Sequence, residues 1–296
     1  VAFQISAENA NCLNYRHSFH AGNFADVLKH IALVATLKTM QKKDAGLFVL
    51  DAFAGRGVYD LHSTEAARSP EYLAGIVKIW DANLVEKLPE AMKHYLAVLS
   101  EATTSNERFY AGSPLFISQM LRDQDRALFN ELHLEEKAFL DAAISQFSLT
   151  SGKKRIKTSS LDGYLAIKAN LPPLERRGLI VIDPPFEIAG EFERMVLATK
   201  QGLKRFATGV FLLWHADKDE KAVRRYHHAL SELGKEVLSI ELRVSKEDGT
   251  SGLKAAGISI VNPPFGVETH LEEAKSAIVK LLRIGEGAKM TIRHLF

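Results

Sequence analysis

The sequence predicts an α/β fold: a doubly wound, seven-stranded, mostly parallel sheet with a terminal antiparallel hairpin and a small helical insertion. Three observations carry that prediction. Short apolar runs alternate with helical patterns along most of the 296 residues, which builds a parallel sheet covered by helices on both faces. The run Gly178–Asp183 is apolar up to its final acid, as a strand buried on both faces requires. Segments 237–244 and 257–261 have no helix between them, only a Gly-containing polar turn (Lys246–Gly252), so they pair antiparallel.

The elements follow in order. Residues 1–12 read as an N-terminal extension with no role in the fold. Residues 22–43 carry Ala25, Leu28, Ile31, Ala32, Ala35 and Leu37 at helical spacing. Leu47–Leu50 is a short strand that runs into Asp51-Ala52-Phe53-Ala54-Gly55-Arg56-Gly57. The strand–helix alternation then lapses, and residues 60–112 read as a helical insertion in a main domain made of 13–59 and 113–296. Within it, 70–80 and 89–101 are amphipathic. Helix 114–123, strand 126–132, helix 135–147, strand 155–159 and helix 162–169 restore the alternation. After Gly178–Asp183 come helix 190–204, strand 209–214, helix 218–233, the two hairpin strands and a last helix, 268–283.

Composition narrows the functional classes. With 46% hydrophobic and 25% charged residues the chain is globular. The net charge of +2, from 38 basic and 36 acidic residues, neither demands nor excludes a nucleic-acid partner. Cys12 is the single cysteine, so no intramolecular disulfide forms. No apolar run reaches the roughly 18 residues of a membrane span, and no secretion signal is evident. A cytoplasmic enzyme without membrane association is the expectation.

The sharpest chemical signal is Asp183-Pro184-Pro185-Phe186, directly after the Gly178–Asp183 strand. An exocyclic amine on a nucleobase is a weak nucleophile because its lone pair is delocalised into the ring. The Asp183 carboxylate and the Pro184 carbonyl can both accept its N–H groups, and proline fixes the direction of that carbonyl. Phe186 can stack on a base that has left its helix or loop. A second string, Asn262-Pro263-Pro264-Phe265, also follows an apolar strand. It ends an antiparallel strand, however, whereas a catalytic loop belongs at the carboxyl ends of the parallel strands near the switch point.

Around that loop stand candidate ligand groups. Asp51 and Gly55 lie in the first strand-to-helix loop, where glycine lets backbone approach a ligand. This is not a full dinucleotide fingerprint, and no Gly-Lys-Ser/Thr string is present. Glu131 ends the second strand, where an acid can take the ribose hydroxyls of an adenosine-containing cofactor. Asp162-Gly163 follows the third, where a carboxylate can accept an adenine amine or simply cap a helix. His17, His20 and His30 fit no zinc spacing, so no metal is expected. Arg176-Arg177, Lys153-Lys154-Arg155 and Lys204-Arg205 suit phosphate contact or solubility equally.

The strings Tyr15-Arg16-His17-Ser18-Phe19-His20-Ala21-Gly22-Asn23 and Ala25-Asp26-Val27-Leu28-Lys29-His30 resemble the opening of bacterial 23S ribosomal RNA adenine-N6 methyltransferases of the RlmJ type. The likeness continues through Gly112-Ser113-Pro114-Leu115, Glu131-Leu132-His133, Asp162-Gly163, Arg176–Ile180, Asp183-Pro184-Pro185 and Lys204–Gly209, spanning about residues 13 to 290. It implies a Rossmann-like class I fold and a monomer that uses S-adenosyl-L-methionine. The implied target is N6 of one adenine in 23S rRNA, either protein-free or in an early assembly intermediate. It implies that Asp183 is the catalytic acceptor and that His30, Ser113, Glu131, Asp162, Gly163 and Asp183 line the cofactor site. It implies that Tyr15 and Lys29 meet the RNA. Two positions depart from the pattern: Phe186 stands where the family often has Tyr, and Phe53 where it often has His. The first keeps stacking and loses a hydroxyl; the second loses a polar cofactor contact. Amine chemistry alone leaves DNA open as the polymer, and a non-catalytic nucleic-acid-binding module would have been signalled by loss of Asp183.

Overall fold

The computed structural model describes residues 17–81, 87–152, 155–246 and 252–296. The extension 1–12, Tyr15 and the Lys153-Lys154 pair lie outside the described residues. A 3-10 turn, His17–Phe19, leads into α1 (Phe24–Met40). Asn23 starts that helix by accepting the Ala25 and Asp26 N–H groups on its Oδ1, both at 2.9 Å. Every α1 residue but Lys38 is buried, because α1 is apolar on most sides and is wrapped on most sides.

The chain continues through β1 (Phe48–Asp51), β2 (Val58–Asp60), α2 (Thr64–Arg68), α3 (Ile76–Trp80), α4 (Glu90–Ala102) and β3 (Phe109–Ala111). Next come α5 (Ser113–Met120), β4 (Arg126–Asn130), α6 (Leu134–Ser151), β5 (Ile156–Ser159), α7 (Gly163–Asn170) and β6 (Gly178–Ile182). The last third holds α8 (Glu191–Arg205), β7 (Val210–Ala216), α9 (Glu220–Ser231), β8 (Val237–Arg243), β9 (Ala255–Val261), α10 (Val267–Leu282) and β10 (Lys289–Leu295). Among the described residues no helix is long and apolar enough to cross a membrane.

The main sheet has the order β10-β8-β9-β7-β6-β1-β4-β5. Strands β5, β4, β1, β6 and β7 are mutually parallel. β9 runs antiparallel to both β7 and β8, which is the expected hairpin. The mostly parallel, Rossmann-like α/β sheet is as the sequence predicts, but its strands number eight, not seven. The addition is β10, antiparallel to β8 along Lys289–Leu295. Its Lys-Met-Thr-Ile-Arg-His-Leu run is only partly buried, so it carries a weak apolar signal after the last predicted helix. Outside this sheet, β2 and β3 pair antiparallel as a separate ribbon joining the two ends of segment 61–108.

The core lies on both faces of the sheet because successive strand residues point to opposite sides. In β6, Leu179 and Val181 join the α1, α4, α5 and α10 side, while Ile180 and Ile182 join the α7, α8 and α9 side. β1 sits between β4 and β6, so strand order reverses there. The crevice at the carboxyl ends of β1 and β6 is the switch point where doubly wound sheets bind ligands.

Candidate active site at the carboxyl edge of the sheet

Asp183 follows β6 directly at that crevice, and Pro184 behind it is buried. Lys29 donates from Nζ to Asp183 Oδ2 at 2.6 Å and to Asp26 Oδ1 at 2.9 Å. Asp26 Oδ2 in turn accepts from the Gly22 N–H at 3.0 Å and meets His17 Nε2 at 2.8 Å. Asp26 is 3% exposed and Lys29 5%. Burial alone would raise the Asp26 carboxyl, but His17 and Lys29 outweigh it and hold it well below its ordinary range. Burial likewise works against the Lys29 ammonium, and Asp183 and Asp26 outweigh it and hold the pKa well above its usual value. Asp183 thus stands beside a fixed cation, and its Oδ1 has no hydrogen-bond partner among the described residues.

Lys29 is therefore turned into the protein, toward two carboxylates. The family resemblance implies that Lys29 meets the RNA. Asp26 has no role in the sequence analysis; its local signal is an acid and a base three apart on a mostly apolar helix.

The first loop surrounds a second buried acid. Asp51 is fully buried and accepts the Ser113 hydroxyl on Oδ2 at 2.6 Å and the Phe53 N–H on Oδ1 at 3.3 Å. Burial raises its carboxyl to about 6, against the Ser113 hydrogen bond and with help from the nearby Asp183 charge. His30 stacks on Phe116 of α5 at 4.6 Å, three residues beyond Ser113. Its Nδ1 meets the Tyr110 hydroxyl at 2.8 Å, whereas Nε2 is buried with no partner among the described residues. Burial, reinforced by Lys29, lowers its pKa well below the ordinary histidine value, so the ring is neutral.

Glu131 is held at the end of β4 by two backbone groups, Gly55 N–H to Oε2 and His133 N–H to Oε1, both at 2.8 Å. Burial raises its carboxyl. Each oxygen has a second lone pair for a hydroxyl. Gly55 has φ of +64°, a conformation that favours glycine. Asp162 caps α7, taking Tyr164 N–H and Leu165 N–H on Oδ1, both at 3.1 Å. Its Oδ2 contacts Arg194 at 3.3 Å, so the capping role is real and one oxygen still faces a cation. Phe53 lies against the Gly163 backbone, where a side chain would enter its ring, and edge-on to Tyr164 at 5.2 Å. It is an apolar wall of the crevice.

These groups suit an adenosine-containing cofactor: a two-oxygen acceptor for a ribose, an apolar wall beside a glycine backbone, and an orphaned buried imidazole nitrogen. Among the described residues no group of three His, Cys, Asp or Glu side chains converges to hold a metal ion. Phe186, at φ of +53°, is half-buried, its ring edge-on to Phe192 at 5.2 Å and Trp214 at 5.8 Å. Tyr15 lies outside the described residues. Asn262 is at the opposite, amino edge of the parallel strands, donating from Nδ2 to the carbonyls of Ala207 at 3.1 Å and Gly209 at 2.8 Å.

The chain is similar to known ribosomal RNA methyltransferases. Residues 44–292 match the family model described as "Ribosomal RNA large subunit methyltransferase D, RlmJ". A protein named ribosomal RNA large subunit methyltransferase J from Haemophilus influenzae is 38% identical over 93% of this chain and 95% of its own. Its namesake from Escherichia coli is 39% identical over 93% of this chain and 96% of its own. A crystal structure of a Legionella pneumophila protein superposes with a TM-score of 0.81 at 32% identity, covering 93% of this chain and 97% of that one.

Proposed function

The chain belongs to the RlmJ family of ribosomal RNA large-subunit methyltransferases, and from that membership we propose that it methylates N6 of an adenine in 23S rRNA, using S-adenosylmethionine. The observation that carries the reading is Asp183 at the switch point, with Oδ2 held by Lys29 and Oδ1 without a hydrogen-bond partner among the described residues.

Oδ1 and the Pro184 carbonyl accept the two N–H groups of the target amine, which turns its lone pair out of conjugation. The cofactor, when bound, supplies an electrophilic methyl group. With its lone pair freed, the amine nitrogen would accept that methyl group, and Asp183 would take the proton the amine gives up. Lys29 is a positioning residue: it holds the Asp183 carboxylate in one orientation before the base arrives. Glu131 would hold the ribose hydroxyls, Asp162 and Gly163 the adenine, and Phe53 would flank it. Asp51, Ser113 and His30 would close the site from the α5 side. The exposed part of the Phe186 ring takes the flipped base, which costs unstacking energy. Tyr15 would meet the RNA, and the enzyme would act as a cytoplasmic monomer on protein-free or early-assembly 23S rRNA.

The test is transfer of labelled methyl from S-adenosylmethionine to protein-free 23S rRNA and to DNA. The expected result is label in N6-methyladenine of the rRNA, and an Asp183→Ala enzyme reduced at least about 100-fold. Transfer to DNA but not to rRNA, or undiminished transfer by Asp183→Ala, would overturn the reading.

A further inference from the structure

Methyl transfer to RNA, the reading on which this inference rests, needs cations near Asp183 to neutralise phosphates. The basic clusters evident in the sequence do not supply them. Arg155, Arg176-Arg177 and Lys204-Arg205 precede β5, β6 and β7, so they stand at the amino edge of the sheet, opposite Asp183. Arg177 is also committed, donating to the carbonyls of Ala45 at 2.6 Å and Met40 at 2.7 Å.

A different set of cations converges on the carboxyl edge. α10 runs toward that edge, β8 ends there and β10 begins there. Between them lies a groove of about 850 Å³ lined by Lys246, Lys275, Lys280 and Arg283, with Glu286 as its one acidic lining residue. This local excess of three positive charges (four less one) exceeds the net charge of +2 carried by the entire chain.

Those cations are available. Lys246 meets Glu286 at 3.4 Å and Lys275 meets Glu272 at 3.2 Å, but such solvated pairs are weak and exchange readily for phosphate. Lys280 is exposed and has no acidic partner among the described residues. Among the described residues the Arg283 guanidinium donates from Nε alone, to the Gly285 carbonyl at 3.2 Å.

The groove is also tied to the catalytic edge. Lys78 of α3 donates to the Arg283 carbonyl at 2.6 Å, and Ile76 N–H donates to the Gly22 carbonyl at 2.9 Å. Gly22 N–H binds Asp26, the carboxylate that holds Lys29 against Asp183. Three strand spacings, about 14 Å, separate β6 from β8.

We propose that this groove binds the phosphate backbone of the RNA flanking the target adenine, with Lys275, Lys280 and Arg283 as its principal cations. It supplies affinity and register, whereas the Asp183 loop supplies the chemistry.

The test is a Lys275→Glu/Lys280→Glu/Arg283→Glu enzyme, measured by filter binding to protein-free 23S rRNA across a salt series. RNA affinity should fall at least about tenfold, and the plot of log affinity against log salt should flatten by about 2–3. S-adenosylmethionine affinity and the melting temperature should stay at wild-type values, and kcat at saturating RNA should be retained. A milder Lys280→Gln/Arg283→Gln enzyme should lose affinity in the same direction, which covers misfolding of the charge-reversed protein. Unchanged RNA affinity and salt slope in a folded variant would overturn the proposal whatever the methylation assay gives. Weakened binding alongside a wild-type enzyme that binds the rRNA but never methylates it would sink the methylation reading and leave the groove standing.

Discussion

One ammonium at the catalytic edge balances two carboxylates, and its removal tests what it does. Lys29→Met would leave Asp26 and Asp183 facing each other with no cation between them. Breaking one side of a buried ion pair typically costs about 3–5 kcal/mol, so urea unfolding should show a loss of that order. Adding Asp26→Asn should recover part of it, because the two residues are coupled. A phosphate-binding lysine would instead weaken RNA affinity and leave the unfolding midpoint in place. Asp51 gives a second test, through pH. Its carboxyl rises from 3.8 to about 6, so the folded protein holds this proton more tightly than the unfolded chain does. The resulting stabilisation is complete below the unfolded value of 3.8 and is lost as pH rises through about 6. A shift of roughly two units corresponds to about 3 kcal/mol. Asp51→Asn cannot ionise, so its stability relative to wild type should improve by about that amount between pH 4 and pH 7. A constant difference across that range would show that Asp51 titrates normally.

Arg177 shows how an element uses a charge that a sequence offers to a ligand. Its guanidinium caps the last carbonyl of α1 and the Ala45 carbonyl just before β1, fastening the helix to the entry of β6. Arg177→Ala should therefore lower stability by about 1–3 kcal/mol and leave rRNA affinity unchanged, as thermal unfolding and filter binding would report. Elements with dense apolar periodicity were legible: α1, β1, β6 and α10 each fall within two or three residues of the segment read from the sequence. The missed ones, β2, β3 and β10, are short or half-exposed and owe their pairing to partners far along the chain. The site divides in the same way. Gly55, Glu131, Asp162 and Asp183 are legible because each sits in a local string that ends a strand. The Lys29–Asp183 contact joins residues 154 apart and leaves no local pattern; Lys275, Lys280 and Arg283 follow one another along the end of α10, but their convergence with Lys246, beyond β8, appears only in the fold.

At the scale of the whole molecule, the sheet has two edges, and the chain carries one of two closely similar strings at each. Asp183-Pro184-Pro185-Phe186 follows parallel β6 and so lies at the carboxyl edge, beside the switch point next to β1. Asn262-Pro263-Pro264-Phe265 follows antiparallel β9 and so lies at the amino edge, with Val261 opposite Phe211 near the start of β7. Strand direction alone therefore separates two strings of nearly the same composition. Their side chains already differ in employment: Asn262 ties down the turn before β7 through two carbonyls, whereas Asp183 takes the Lys29 ammonium on one oxygen. Phe265 is fully exposed, while Phe186 leans on Phe192 and Trp214. Asn262→Ala should cost about 1–2 kcal/mol of stability through its lost hydrogen bonds and leave kcat for rRNA within about twofold, since no contact reaches the reacting amine. Asp183→Asn differs in what it does to the chemistry: it leaves the buried Lys29 ammonium to Asp26 alone, so stability should fall as well, and methyl transfer should fall at least about 100-fold for want of an anionic acceptor. Steady-state methylation and urea unfolding on the two single variants decide the matter. Loss of transfer in the Asn262 variant with retention in the Asp183 variant would place the chemistry at the wrong edge of the sheet and refute the site.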